Sequence, residues 1–458
     1  MDHLLQEIAD FVVQLETEPL PGMVVRRIEN HLLDAIGCAF AAYEAPTSVI
    51  ARDMARDWGG GGGASVLGLT RRASPALACF ANGTMVRYLD LNDTYVSAGG
   101  VGHPSDYLMP VLAAAEVTGA SGADVVRGMV VAYEVFCRFI DATDLGVDKW
   151  DHVVAGAVAS AAATGSVLHL GREETAHAVS LALVPNLALQ VSRLGSLAMW
   201  KGCAAANAGR NGLFAAFLAA KGMTGPAEPF EGRGGLEEAV GKKVGHSSFE
   251  LAEGFYVERC HIKRYPAGFF GQPAIEAAVE VAGRLGHPGE IEEVSVGTFP
   301  FGKAVMAGDP EKWQPATRES ADHSIPYVVA VALMHGDVGP EHFDDAVLHS
   351  EAVNGLLPKI SVYVDEGAAA AWPSEARTRV EVRMRDGRKE EAEVRWYKGH
   401  AGNPLADGEV EAKFRSLAGS RVGPEGVDGI IAAVRELGES KDAGALTDAC
   451  TIGAVRSQ

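Results

Sequence analysis

Apolar residues recur with a helical period through most of the first 251 positions of the chain. Ile28, Leu32, Leu33 and Ile36 fall on one helix face, and the pattern stops before Gly37. Ser121-Gly122-Ala123-Asp124 has the form of a capping box ahead of Val125, Val126, Met129, Val130 and Tyr133. Ala155–Gly165 predicts a helix of small residues, and Glu173–Leu183 a further one after Gly171. Leu213–Lys221 continues an Ala/Gly helix that closes at Gly222. No period-2 alternation stands out in this half.

The pattern changes near Glu258. Ile291–Phe299, Lys359–Val364 and Thr378–Met384 read as strands, the last leading through Asp386-Gly387, a hairpin signal, into Glu391–Trp396. Helical segments at Pro273–Leu285 and Ser324–Met334 lie among them, and helices return at Gly408–Leu417 and Val427–Leu437. These elements predict a mainly α fold with an α+β part. A large helical domain (1–260) is interrupted by a smaller α+β lid (261–400) and completed by C-terminal helices (401–458). The length of 458 residues also exceeds the about 250–300 at which a single core usually splits.

Composition narrows the function. Lys and Arg number 40 against 60 Asp and Glu, a net charge of −20. A surface this acidic argues against nucleic-acid binding, which needs clustered cations. It also makes any local basic cluster informative, because a site for an anion must be built against the background. Hydrophobic residues reach 47%, aromatics only 7%, and glycine 54 positions, which suits helices packed closely through small residues. Six cysteines without a CxxC pair, and a start lacking a basic and apolar leader, predict a cytoplasmic protein with reduced thiols. The longest uncharged run, near Val153–Gly171, is too weakly apolar for a membrane span. Gly59–Gly63 lacks the GK[ST] ending of a phosphate loop and is given no nucleotide role.

Four polar constellations carry candidate chemistry. Asp90 and Thr94 would share one face at a helix end, and a glycine-rich loop from Gly99 to Gly102 delivers His103 ahead of Pro104. Lys201 opens the Ala/Gly helix, where a lysine is better placed with an anion above it, since helix N-termini favour negative charge. Lys263-Arg264 stands beside Tyr265-Pro266 at the expected domain crossing and suits an anion pocket. His323 and Tyr327 point the same way if a helix starts near Ser324, and His152 adds a fifth candidate. Each also has a plain alternative, as a helix cap, a solvated linker or a surface lysine. No HExxH, Cys/His ligand spacing or GxSxG elbow is present.

At these residues the chain resembles the MmgE/PrpD family, whose members include 2-methylcitrate dehydratases, cis-aconitate decarboxylases and iminodisuccinate epimerases. The resemblance spans nearly the whole chain. It runs from Leu33-Asp34-Ala35-Ile36-Gly37-Cys38 and Ala81-Asn82-Gly83 through Asp90–Thr94, His103-Pro104-Ser105 and Lys201. It continues in Lys263-Arg264-Tyr265-Pro266 and His323-Ser324-Ile325-Pro326-Tyr327 and ends at Gly402-Asn403-Pro404-Leu405 and Lys413-Phe414. It implies a homodimer with a helical domain, an α+β lid and a cleft that works without metal or cofactor. The implied site residues are Asp90, Thr94, His103, His152, Lys201 and Tyr327. Three positions depart from the pattern: Asn92 replaces an acid, Ala204 stands where decarboxylase-like relatives carry a histidine, and Ala267-Gly268 lacks another histidine.

The expected activity is that of a metal-independent acid/base lyase on a small di- or tricarboxylate, with dehydration of a 2-methylcitrate-like acid favoured. Lys201, Lys263 and Arg264 would hold carboxylates, with His323 beside them, while Thr94 and Asn92 orient a hydroxyl or a third carboxylate. His103 and Asp90 would form the acid/base pair, with Tyr327 and His152 as further proton carriers. Decarboxylation and epimerisation share the first step, formation of a carbanion beside a carboxylate. A catalytically silent carboxylate-binding or scaffold protein is the alternative from another class.

Overall fold

A computed structural model of the chain describes residues 1–60, 63–97, 100–143, 150–195, 197–245, 249 and 254–452. Residues 61–62 of the five-glycine run, and Gly99 of the loop before His103, lie outside them. Five helices matter most for the first part: α1 (Gly22–Ala41), α2 (Pro75–Arg87), α3 (Gly122–Ala142), α4 (Val153–Val167) and α5 (Ala204–Ala220). The capping box before α3 forms as expected: Asp124 N–H donates to Ser121 Oγ at 3.2 Å, and Ser121 N–H donates to Asp124 Oδ2 at 3.0 Å.

Small residues set the spacing of the bundle. Every side chain of α4 is buried, and α5 lies so close that a Cβ on Gly212 would meet Ala157 O at 2.5 Å and Ser160 Cβ at 2.6 Å. Gly37 works in the same way. It does not stop α1, which runs on to Ala41; instead a Cβ there would come 3.1 Å from Phe414 Cδ2 of the C-terminal helix. Close approach, not helix termination, explains this glycine.

Apolar side chains gather into two main cores. The first draws on residues 4–262 and again on 410–450. The second draws on 265–397, so the chain crosses between them at Lys263-Arg264. The second core holds a four-stranded sheet of β1 (Ile291–Thr298), β2 (Ile360–Val364), β3 (Thr378–Met384) and β4 (Lys389–Val394) in the order β2-β1-β3-β4. β1 and β2 are parallel, and the other pairs are antiparallel. The hairpin turns at Gly387, whose φ of +88° suits glycine. β4 begins two residues before the expected Glu391 and ends at Val394, which pairs with Thr378; beyond it Trp396 donates its indole N–H to Ser374 O. α6 (Gln272–Ala282) and α7 (Ile325–His335) contribute to the same core, with Ser324 capping α7 through Tyr327 N–H at 3.0 Å.

The two C-terminal helices form one run, α8 (Asp407–Arg435), broken at Gly423 (φ 72°) just before Pro424. Two short strand pairs in the first part, Ala64–Ser65 with Arg72–Ala73 and Tyr95–Ser97 with Gly100–Gly102, are too brief to show as alternation. Among the described residues no helix is long and apolar enough to cross a membrane.

Packing through glycine gives a paired test. Gly212→Ala should cost about 1–3 kcal/mol of unfolding free energy in urea, since backbone of α4 must move. Gly419→Ala, in α8 with nothing within 4 Å, should instead add about 0.4–1 kcal/mol. Equal effects would refute glycine-mediated helix contact.

Candidate active site

α2 ends at Arg87, and the chain turns out of the helix before Asp90, which adopts a left-handed φ of +52°. Asp90 and Thr94 therefore do not share a helix face. Such a backbone costs an aspartate about 1–2 kcal/mol, and Lys263 braces it: its ammonium donates to the Asp90 carbonyl at 2.9 Å and to its carboxylate. Thr94 forms a reciprocal backbone bridge to His261, each N–H donating to the other's carbonyl at 2.8 Å. The loop that holds the site is thus stitched to the segment where the two cores meet. Lys413 of α8 adds a further tie, donating to Leu91 O at 3.0 Å and Lys263 O at 2.6 Å while pairing with Asp34.

Asp90 is the centre of a buried ion network. Its Oδ1 faces Arg87 Nη1 at 3.0 Å and Lys263 Nζ; its Oδ2 faces Lys201 Nζ at 3.5 Å and His323 Nε2 at 3.3 Å. Lys201, from the turn Met199–Gly202 ahead of α5, also donates to Asp322 Oδ1 at 3.0 Å. His323 Nδ1 shares that oxygen. Burial pushes the Asp90 carboxyl up, but Arg87, Lys263, His323 and Lys201 outweigh it and hold it well below the usual range. Asp322 is lowered by the same logic, with Lys201 and His323 overcoming its burial. His323 is pushed down to about 4, by burial first and then by Lys201, so it is neutral near pH 7. Asp106, beside Arg87 Nε at 3.6 Å, is pushed up to about 7 by burial. Three cations thus face two firmly ionised carboxylates and a third that titrates near neutrality. The cluster has room for added negative charge.

Two histidines flank it. His103 is fixed from both sides: Asp93 O, an acceptor only, lies 2.6 Å from Nδ1, and Arg87 Nη2, a donor only, lies 2.9 Å from Nε2. Only the neutral ring with hydrogen on Nδ1 satisfies both partners. Its pKa is well below the usual histidine value through burial, reinforced by Arg87 and Lys263. Thr94 Oγ1 stands 3.3 Å from Nδ1. Gly102 lets the loop reach this place, for a Cβ there would meet Phe136 Cζ at 2.4 Å and His152 Cδ2 at 3.2 Å. The His152 ring crosses that of His103 edge to face at 5.6 Å. Asp151 Oδ1 sits 3.0 Å from His152 Nδ1, and its Oδ2 accepts from Ser192 Oγ at 2.7 Å and Arg193 Nε at 2.8 Å. Asp151 so directs His152 Nε2 away from itself; that nitrogen is buried without a hydrogen-bond partner. Arg193 also donates to Lys201 O at 2.9 Å, tying the histidine's support to the lysine turn.

Not every expected residue joins. Asn92 is spent internally, donating to Ser105 Oγ at 2.9 Å and Asp106 Oδ1 at 2.8 Å. Arg264 is exposed and lies over Tyr265, so only Lys263 of the basic pair enters the network. The Tyr327 hydroxyl donates to His342 O at 2.6 Å, away from the histidines. Sequence reasoning missed Arg87, Asp106, Asp151, Arg193 and Asp322. Two had a visible signal: Arg87 lies three residues before Asp90, and Asp322 adjoins His323.

Asp90, Asp322 and His323 offer ligand atoms within 4.8 Å of one another, a possible cation set. The carboxylates, however, are already matched by Lys201, Lys263 and Arg87, and a divalent ion would add to a cationic surplus. The donor set suits an anion. Beside it a cavity of about 10 Å³, lined by Arg87, Tyr88, Met199, Lys201, Gly202 and Glu319, has space for about one water.

The MmgE/PrpD N-terminal domain matches residues 6–247, and the MmgE/PrpD C-terminal domain matches residues 265–439. A cis-aconitate decarboxylase-like protein, oryM, of Aspergillus oryzae is 29% identical over 95% of this chain and 95% of its own. The 2-methylcitrate dehydratase of Cupriavidus necator is 29% identical over 94% and 93%, and that of Salmonella typhimurium 29% over 81% and 79%. The two domains flank the crossing at Lys263, where the site is tied together, and the chain belongs to the MmgE/PrpD family.

Proposed function

We propose that the chain is an acid/base lyase that acts, without a metal, on a small di- or tricarboxylate, most simply by removing water from a 2-methylcitrate-like acid. One observation carries this: a buried cluster with surplus positive charge stands beside two imidazoles held neutral. Arg87 and Lys201 line the opening and take a substrate carboxylate. The charge that builds up when a proton leaves the adjacent carbon falls on that carboxylate, where fixed cations in a dry site lower its energy. His152 Nε2, held by Asp151 and free of another partner, takes the proton. The imidazolium then returns it to the departing hydroxide, so that water and an unsaturated acid are the products. His103 becomes available for a second transfer once a substrate carboxylate draws Arg87 from its Nε2. Asp90, held ionised by its neighbours, is a poor base, and its part is to anchor the cations.

The cavity is smaller than any such acid, so binding requires the residues around it to part. We assign that motion to the second core, residues 265–397, as a lid inserted between the helical segments 1–260 and 401–458. A cytoplasmic homodimer completes the proposal; exposed Val184, Leu189, Val191, Leu194, Met199 and Trp200 suit the surface a second copy would cover. Decarboxylation is the second reading, favoured by the likeness to oryM. Its product would be an unsaturated acid plus carbon dioxide.

Incubation with 2-methylcitrate, citrate and cis-aconitate, followed by absorbance of the unsaturated acid and by gas release, separates the two. Absorbance rising without gas from a hydroxy acid supports the lyase; no change with any acid at any pH sinks it in favour of a silent binder. His103→Gln and His152→Gln should each lower kcat about 100-fold or more, and a variant with unchanged turnover removes that histidine from the mechanism.

The neutral imidazoles also leave a pH signature. His323 has a folded value of about 4 against about 6.5 when unfolded. Unfolding therefore takes up a proton between those limits, and stability falls as pH drops through that window. Between pH 7 and 5 the protein should lose about 2 kcal/mol more of urea-unfolding free energy than its His323→Asn variant. Parallel losses in the two would show that His323 is not buried neutral.

A further inference from the structure

Lys312 closes the short turn Pro310–Lys312 and is only 7% exposed. Its carbonyl accepts the hydroxyl of Ser324, the residue after His323, so the turn is tied to the segment that supplies Asp322 and His323 to the network. Among the described residues, the lysines buried to a similar degree are engaged: Lys201 with Asp90 and Asp322, Lys263 with Asp90. Among the described residues, by contrast, the Lys312 ammonium makes no hydrogen bond or ion pair. It is not among the fully enclosed polar atoms without partners, which leaves it reachable from outside. Burial lowers its pKa, and the nearby charge of Lys201 lowers it further, while Asp322, Asp309 and Glu311 act in the opposite sense.

An ammonium at the open end of a mostly buried side chain, with water as its only partner, is placed to receive an anion. Asp322 is a poor candidate, since its Oδ1 already serves Lys201 and His323. Repulsion between Lys312 and Lys201 would be relieved by an anion that reaches both. We propose that Lys312 is a second carboxylate-binding residue at the mouth of the site, so that one carboxylate of the substrate lies against Arg87 and Lys201 and another against Lys312. This rests on the polycarboxylate function above and deepens it: the ligand carries at least two carboxylates, and Lys312 selects for the second.

Tricarballylate, a tricarboxylate with no hydroxyl to lose, is the probe. Calorimetric titration into the full-length protein and its Lys312→Met and Lys312→Arg variants should show binding weakened about tenfold or more in the first and kept within about threefold in the second. The urea midpoint of unliganded Lys312→Met should stay at that of the wild type or above, because the stem is replaced by one of similar shape and no protein partner of the ammonium is lost. Wild-type affinity in Lys312→Met overturns the proposal. Loss of binding in both variants together with a lowered midpoint overturns it too, since Lys312 would then be a structural residue. A wild type that fails to bind at all overturns the polycarboxylate function itself, an outcome separate from a defect seen only in the variants.

Discussion

A carboxylate that cannot be left alone organises this protein. Asp90 is buried at the meeting point of Arg87, Lys201, Lys263 and His323, which arrive from four distant parts of the chain. Each charge taken out of water costs several kcal/mol, and only mutual pairing repays it. Lys263 stands at the crossing between the two cores, and His323 just before a helix of the second. The network therefore forms only when both cores are folded and docked. Docking of the two cores and completion of the network's electrostatics are one event.

Under the proposed function the same network would set what can enter. Lys201 is occupied by Asp322 and Asp90, so an incoming carboxylate competes with carboxylates already in place. Exchange of one for another preserves most of the Coulomb energy, so the free-energy difference between closed and loaded states can be small even though each contact is strong. A neutral ligand would have to break these pairs and offer nothing in return. Discrimination follows from the cost of unpaired buried charge as much as from attraction to the ligand.

Much of this was legible in the order of residues, and what was not has a physical cause. Strand β3 matches its expected span residue for residue, because one-sided burial writes itself as alternation. Gly37 misled because a glycine that admits Phe414 and a glycine that ends a helix are the same letter. In the site, residue type was readable and direction was not. Lys263 and Arg264 are adjacent, yet one is fully buried and the other exposed. His323 and Tyr327 flank the same helix start, yet the ring of one meets Asp90 and the hydroxyl of the other bonds to His342. Asp322 stayed hidden because its partner Lys201 lies 121 positions away, and Arg87 because nothing in its residue type says that it turns inward to Asp90, His103 and Asp106.

A protein of net charge −20 that concentrates three cations in one dry place works against its own long-range field. Such a field would slow the approach of anions, and salt screens it beyond about 10 Å. Inside the cluster water and salt screen little, so the local cations would govern binding of the proposed substrate while the acidic surface would govern encounter. The neutral state of His103 and His152 follows first from burial, to which Arg87 adds for both rings, while Asp151 acts in the opposite sense on His152. Cations nearby depress imidazole protonation and so keep a lone pair available at neutral pH, where an isolated histidine would already be partly charged. Arg87, which would hold the substrate's charge, thereby adds to the burial that keeps the base unprotonated.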